Sequence, residues 1–145
     1  MEKFFAKLKG KNEVPPVDTD AFGVAKFMAN KGCTKIKFQL EVEDIKNFVQ
    51  AHIHFGDRDE NGPVIVFLFG ANLMTLEEQE GITTRRGKIT GTITDKDIED
   101  NDVGIHDVAD LLKFMRKKLT YVNVHTEQNP GGEIRGQIIP LDHSY

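Results

Sequence analysis

The sequence holds one cysteine, one serine and no tryptophan in 145 residues, and each scarcity closes off a class of chemistry. With Cys33 alone no internal disulfide can form, which suits a reducing compartment and is also compatible with an exported bacterial protein. Cys33 itself reads as a small apolar residue near a turn. Ser144 is the only serine, and no Ser-centred nucleophile elbow surrounds it. Neither a Gly-x-Gly-x-x-Gly nor a Gly-Lys-Ser/Thr loop occurs, so the usual nucleotide-phosphate cradles are missing. The longest purely apolar run, Val64 to Phe69, falls far short of the roughly 18 residues a membrane helix requires. Nor is there an excess of positive charge: 19 Lys and Arg stand against 23 Asp and Glu, and the basic residues are scattered, which argues against a nucleic-acid partner. The first ten residues alternate charged with apolar side chains and contain no signal-peptide core of about 7 to 15 apolar residues. Together with Met1 this gives the expectation of a cytoplasmic protein. The length fits one domain, spanning 1–145, that folds without needing a disulfide or metal.

What the sequence does contain is short strands between turns. Phe5 to Leu8, Val24 to Met28, Lys35 to Val42, Phe48 to Phe55, Val64 to Phe69, Lys88 to Thr94, Thr120 to Thr126 and Glu133 to Ile139 are rich in β-branched and aromatic residues. Turn clusters separate them at Val14-Pro-Pro16, Asn30-Lys-Gly32, Asp57 to Pro63 and Asn129-Pro-Gly-Gly132. This spacing predicts an antiparallel sandwich or barrel. One segment departs from it: Val108, Leu111, Leu112 and Met115 recur at helical spacing, Asp107 is placed to cap the N-terminus, and Lys113, Arg116, Lys117 and Lys118 complement the C-terminal dipole. A single amphipathic helix from Asp107 to about Lys117 is expected. Residues 70–87 show no clean period and read as a long, mobile loop.

Strand alternation sorts the chemistry. In Phe48 to Phe55, Val49, Ala51, Ile53 and Phe55 share one face, leaving His52 and His54 on the other. In the next two segments Val122, Val124, Ile134 and Ile138 turn inward, while Tyr121, Asn123, His125, Glu133, Arg135 and Gln137 turn outward. Two histidines at i and i+2 stand about 7 Å apart at Cα, and a third from a neighbouring strand, about 4.8 Å away, would complete three nitrogen ligands with one position open. His52, His54 and His125 are that candidate set. The same face also fits a hydrogen-bond network in which Arg135 pairs with Glu133 or another carboxylate and Tyr121 packs over the rings. His106 and His143 read as solvated. Asp57 to Gly62 begins like a calcium loop, but the position for the bidentate Glu is Leu68, so a turn is expected.

Several separated stretches resemble the CHRD domain, named for chordin. They are Phe4 to Leu8 with Gly10, Asn12-Glu-Val-Pro-Pro-Val17, Gly23-Val-Ala-Lys-Phe27, Ala51-His-Ile-His-Phe-Gly56, Asn61-Gly-Pro-Val64, Tyr121 to Thr126 and Asn129 to Gln137. They follow in order from about residue 3 to residue 139. The resemblance implies an immunoglobulin-like β-sandwich and, since chordin uses such domains in a growth-factor-binding protein, a protein-interaction module needing no metal; bacterial members stand alone. Ala51 to Gly56 is also similar to the His-x-His strand that supplies copper ligands in Cu/Zn superoxide dismutase, with His125 in the place of a later ligand. This sequence lacks that family's bridging histidine, zinc loop and disulfide, so the likeness implies one mononuclear copper or zinc site and not dismutase activity. Tyr121, Glu133 and Arg135 are then expected behind the ligands, orienting rings or offering charge. Redox or hydrolytic chemistry is expected only if the metal is bound with a position open.

Overall fold

The alternating segments do form strands, and their register places the three histidines. The computed structural model describes residues 1–70 and 82–141. Its elements are β1 (Glu2–Lys9), β2 (Phe22–Ala29), β3 (Lys35–Phe55), β4 (Val64–Phe69), β5 (Ile82–Thr94), α1 (Val108–Arg116), β6 (Thr120–Thr126), β7 (Ile134–Gln137) and β8 (Ile139–Pro140), with short 3-10 turns at Gly10–Asn12 and Asp95–Asp97. The chain is thus all-β with one short helix. Among the described residues no helix is long and apolar enough to cross a membrane.

The architecture departs from a simple two-sheet sandwich. The strands form one eight-stranded sheet in the order β2-β1-β7-β6-β3-β4, and an additional β2–β3 pairing joins five of them, β1, β2, β3, β6 and β7, into a closed ring. The cause is β3. Expected as two strands, it runs 21 residues, pairing with β2 and β5 through its first half and with β6 and β4 through its second. The crossing occurs at Asp44 and Asn47, whose φ of 53° and 55° lie in the left-handed region that short polar side chains tolerate. The β5 register shifts between Ile45 and Phe48 at the same point. At the β1–β7 seam the backbones approach so closely that a Cβ on Gly136 would stand 2.1 Å from the Lys7 carbonyl oxygen, so only glycine fits.

Every residue expected in the core is there: Val49, Ile53, Val122, Val124, Ile134 and Ile138 are all buried. Helix α1 starts where predicted, with the Asp107 side chain accepting from the Asp110 amide at 2.7 Å. Val108, Leu111, Leu112 and Met115 are fully buried, and Arg116 forms an ion pair with Glu2 at the start of β1. Of the segment read as a loop, residues 71–81 lie outside the described residues, as does His143. From Ile82 onward that reading gives way to β5, whose Thr- and Arg-rich start shows little apolar alternation and which pairs with β3. His106 is exposed as expected, and Cys33 is half-buried beside a turn.

Candidate metal centre

Three strands build the site in rows across one face. His52 pairs with Asn123, which pairs with Arg135; His54 pairs with Tyr121, which pairs with Gln137; and Gln50 pairs with His125. Parity therefore placed the polar set on one side, as the alternation predicts. What parity did not show is that this side is covered. His52 is 0% exposed, His54 8%, His125 7% and Arg135 1%, so the polar face that strand parity turns away from the apolar core is itself buried.

Three connecting segments supply the cover. The Asp57–Gly62 turn, which holds no calcium-loop glutamate, is gripped by Arg135, whose guanidinium donates to the carbonyls of Asp57 (2.7 Å) and Glu60 (2.6 Å) and to Asn61 Oδ1 (2.9 Å). Asn61 Nδ2 in turn donates to the Val14 carbonyl at 2.7 Å, and Asn12 Nδ2 donates to the Arg135 carbonyl at 3.0 Å, which ties in the stretch after β1. The Asn129–Gly132 turn closes the third side through Glu133, which accepts from Thr19, Thr126, Gln128 and Asn129. Burial opposes the charged form of Glu133, but these four hydrogen bonds outweigh it and hold the carboxyl below its ordinary range. The expected pairing of Arg135 with a carboxylate is not what forms. Its planar donors fit the converging carbonyl oxygens of a tight turn, and its face lies 3.5 Å from the centre of the Tyr121 ring.

At the centre of this cover the three imidazoles face one another. Their ring centroids lie 4.5 Å (His52 and His125), 5.4 Å (His52 and His54) and 6.0 Å (His54 and His125) apart. One nitrogen of each ring is occupied. His54 Nδ1 donates to the Gly62 carbonyl at 2.9 Å, His125 Nδ1 donates to the Pro130 carbonyl at 2.8 Å, and His52 Nε2 lies 2.9 Å from Gln50 Oε1. A carbonyl oxygen only accepts, so each of these nitrogens carries the proton and the other keeps its lone pair. The remaining nitrogens, His52 Nδ1, His54 Nε2 and His125 Nε2, are buried and have no partner among the described residues. One ligand atom from each ring lies within 4.8 Å of the other two. Two nitrogens bound to one ion stand roughly 3.3 Å apart at tetrahedral angles and about 4 Å apart when opposed.

Electrostatics prepares the same atoms. Burial pushes the His52 imidazole down to about 2, helped by the neighbouring His125 and His54 rings. It pushes His54 down to about 4, with the Gly62 carbonyl working the other way, and it lowers His125 against the pull of Pro130. All three are thus neutral at neutral pH, the form that ligates. Around them the Phe67 ring meets His52 edge-on at 4.5 Å, and Tyr121 stacks on His54 at 4.9 Å with planes 2° apart. The Tyr121 hydroxyl accepts from the Gly62 amide at 3.0 Å, so one residue, Gly62, holds both the ring and the ring stacked on it. No other residue fits there: a Cβ would fall 1.6 Å from the Phe55 carbonyl oxygen.

Two members of the site escaped the sequence reading. Gln50 completes the His52 hydrogen bond from the same strand face, a position that alternation alone would have marked. Glu13 comes from the stretch after β1, where no period leads to it. It is 5% exposed and accepts from Asn123 Nδ2 at 3.0 and 3.1 Å. Burial pushes its carboxyl up to about 7, an effect that the Arg135 charge and the Asn123 hydrogen bond only partly offset.

Set beside known proteins, residues 4–138 match the family model of the CHRD domain. A search of curated proteins returns no match.

Proposed function

The chain belongs to the CHRD domain family, and from that premise we propose that it binds one transition-metal ion, copper or zinc, through His52 Nδ1, His54 Nε2 and His125 Nε2. One observation carries the reading: three rings whose ligand atoms lie within 4.8 Å of one another each keep a buried nitrogen without a partner among the described residues, while the opposite nitrogen of each ring is held by an oxygen. A buried acceptor left unmatched costs on the order of 1–3 kcal/mol, and three in one cluster of rings find a common explanation in a shared cation. The oxygens behind the rings fix tautomer and aim. In this reading Tyr121 steadies His54 by stacking, Arg135 holds the turn that carries Gly62, and Glu133 anchors the turn that carries Pro130.

An all-nitrogen set suits both ions, and the usual ordering of divalent metals makes Cu²⁺ the tighter. Three protein ligands leave a position through which redox or hydrolytic chemistry would run. The test is titration of Cu²⁺ and Zn²⁺ into untagged wild-type protein and His54→Ala. One equivalent bound by wild type, with copper tighter than zinc and at least about tenfold weaker binding by the variant, supports the site. Equal, weak binding by both proteins sinks it.

A further inference from the structure

A second feature lies on the other half of β3 and does not depend on the metal. Strand β5 is paired along one edge only, to β3, among the described residues. The ends of its free edge are closed off locally. Arg86 donates its amide to Thr84 Oγ1 at 3.1 Å while its carbonyl accepts from the same hydroxyl at 2.9 Å, and the Thr94 amide donates to Asp97 Oδ2 at 2.8 Å. These two residues thus turn main-chain groups away from β3, and at a strand period of two Lys88, Thr90 and Thr92 do the same. All three are exposed, and no hydrogen bond engages their outward amides or carbonyls among the described residues.

Thr90, Gly91 and Thr92 also form one wall of a groove of about 760 Å³. Phe5, Val24, Met28 and Phe38 contribute apolar surface to it, and Lys3, Lys26 and Lys37 stand among them. No Asp or Glu lines it. Neither these lysines nor Lys88 form an ion pair among the described residues. In a chain whose net charge is −4, this is a local excess of unpaired positive charge beside an open strand edge.

We propose that the β5 edge at Lys88–Thr92 docks an extended segment of a partner protein in which acidic and apolar side chains alternate. Main-chain pairing to Lys88, Thr90 and Thr92 supplies the register; on the face those side chains share with Lys26 and Lys37 the carboxylates meet the lysines, and on the opposite face the apolar side chains extend the row of Ile89 and Gly91. A second copy of this chain is a poor occupant, because its own β5 carries Arg85, Arg86 and Lys88 and two such edges repel.

The experiment uses a fluorescein-labelled peptide of alternating Val and Glu, with a Val and Lys peptide as control, read by anisotropy against the full chain. Binding of the acidic peptide alone, weakening as salt rises, supports the proposal. Thr90→Pro deletes an amide that β3 does not use, so it should abolish binding while leaving the melting temperature nearly unchanged. Lys37→Glu, an exposed change, should weaken binding about tenfold or more. Acidic and basic peptides binding alike, or a folded Thr90→Pro binding as wild type does, would overturn it. So would a concentration-dependent dimer that Thr90→Pro abolishes, which would make the second copy the occupant.

Discussion

The two halves of β3 carry the same alternation and meet opposite fates. From Lys35 to Val42 the apolar residues face the core and Lys35 and Lys37 stay exposed; from Val49 to His54 every residue is buried, polar and apolar alike. The difference lies in which polar residues alternate. A lysine cannot be covered without a charged partner, whereas a histidine can shed its proton and satisfy one nitrogen on a carbonyl, leaving the other free to ligate. One half therefore offers a solvated surface and the other a buried polar core.

Placing a charge on each half should separate them most sharply. His52→Lys puts an ammonium where exposure is zero and should cost roughly 4 kcal/mol or unfold the chain, while Lys37→Glu should stay within about 0.5 kcal/mol by urea denaturation. Comparable losses would erase the distinction.

Removing the cover of the buried half comes next. Arg135→Met leaves Asn61 Oδ1 and the Asp57 and Glu60 carbonyls without their donor and should cost about 3 kcal/mol. It should also weaken metal binding, because the freed turn carries the Gly62 oxygen that orients His54. A loss of stability with unchanged metal affinity would assign Arg135 to folding alone.

The smallest effect concerns Glu13, whose folded value is raised above its unfolded one. A raised carboxyl binds its proton more tightly when folded, so its contribution is fully present below about 4.5 and is lost as pH rises through about 7. Glu13→Gln should therefore be more stable than wild type at pH 8, by on the order of 2 kcal/mol, with the advantage shrinking as pH falls and vanishing by about pH 4. Thermal melts across that range read it directly, and a constant difference at all pH values would contradict the assignment.

Local pattern was legible where a single element decides it. Val64–Phe69 and Thr120–Thr126 match the expected strands residue for residue, α1 begins at its expected cap, and alternation puts His52, His54 and His125 on the polar faces of their strands, while the β3–β6 pairing that brings them together came only with the fold. Ring closure was not legible, since it depends on β3 continuing through Asp44 and Asn47 where the sequence reads as a break between strands. Nor was the burial of the histidine face, which three turns from distant parts of the chain create together. Glu13 lies 110 positions from Asn123, and no periodicity carries that contact.

Whether the buried, neutral imidazoles hold one ion is tested most directly by copper spectroscopy. His52 and His54 have folded values below the unfolded imidazole's 6.5, so the metal-free fold is fully stabilised above 6.5 and loses that contribution as pH falls toward about 4 and then about 2. Proton competition at the ligands should set in only at those lower values, not near 6.5 as for exposed histidines. One equivalent of Cu²⁺ should therefore give an electron paramagnetic resonance spectrum with nitrogen superhyperfine structure that is the same at pH 7 and pH 5 and absent in His54→Ala. A hydrated-copper spectrum in wild type, or a nitrogen signal that collapses between pH 7 and 6, would contradict it.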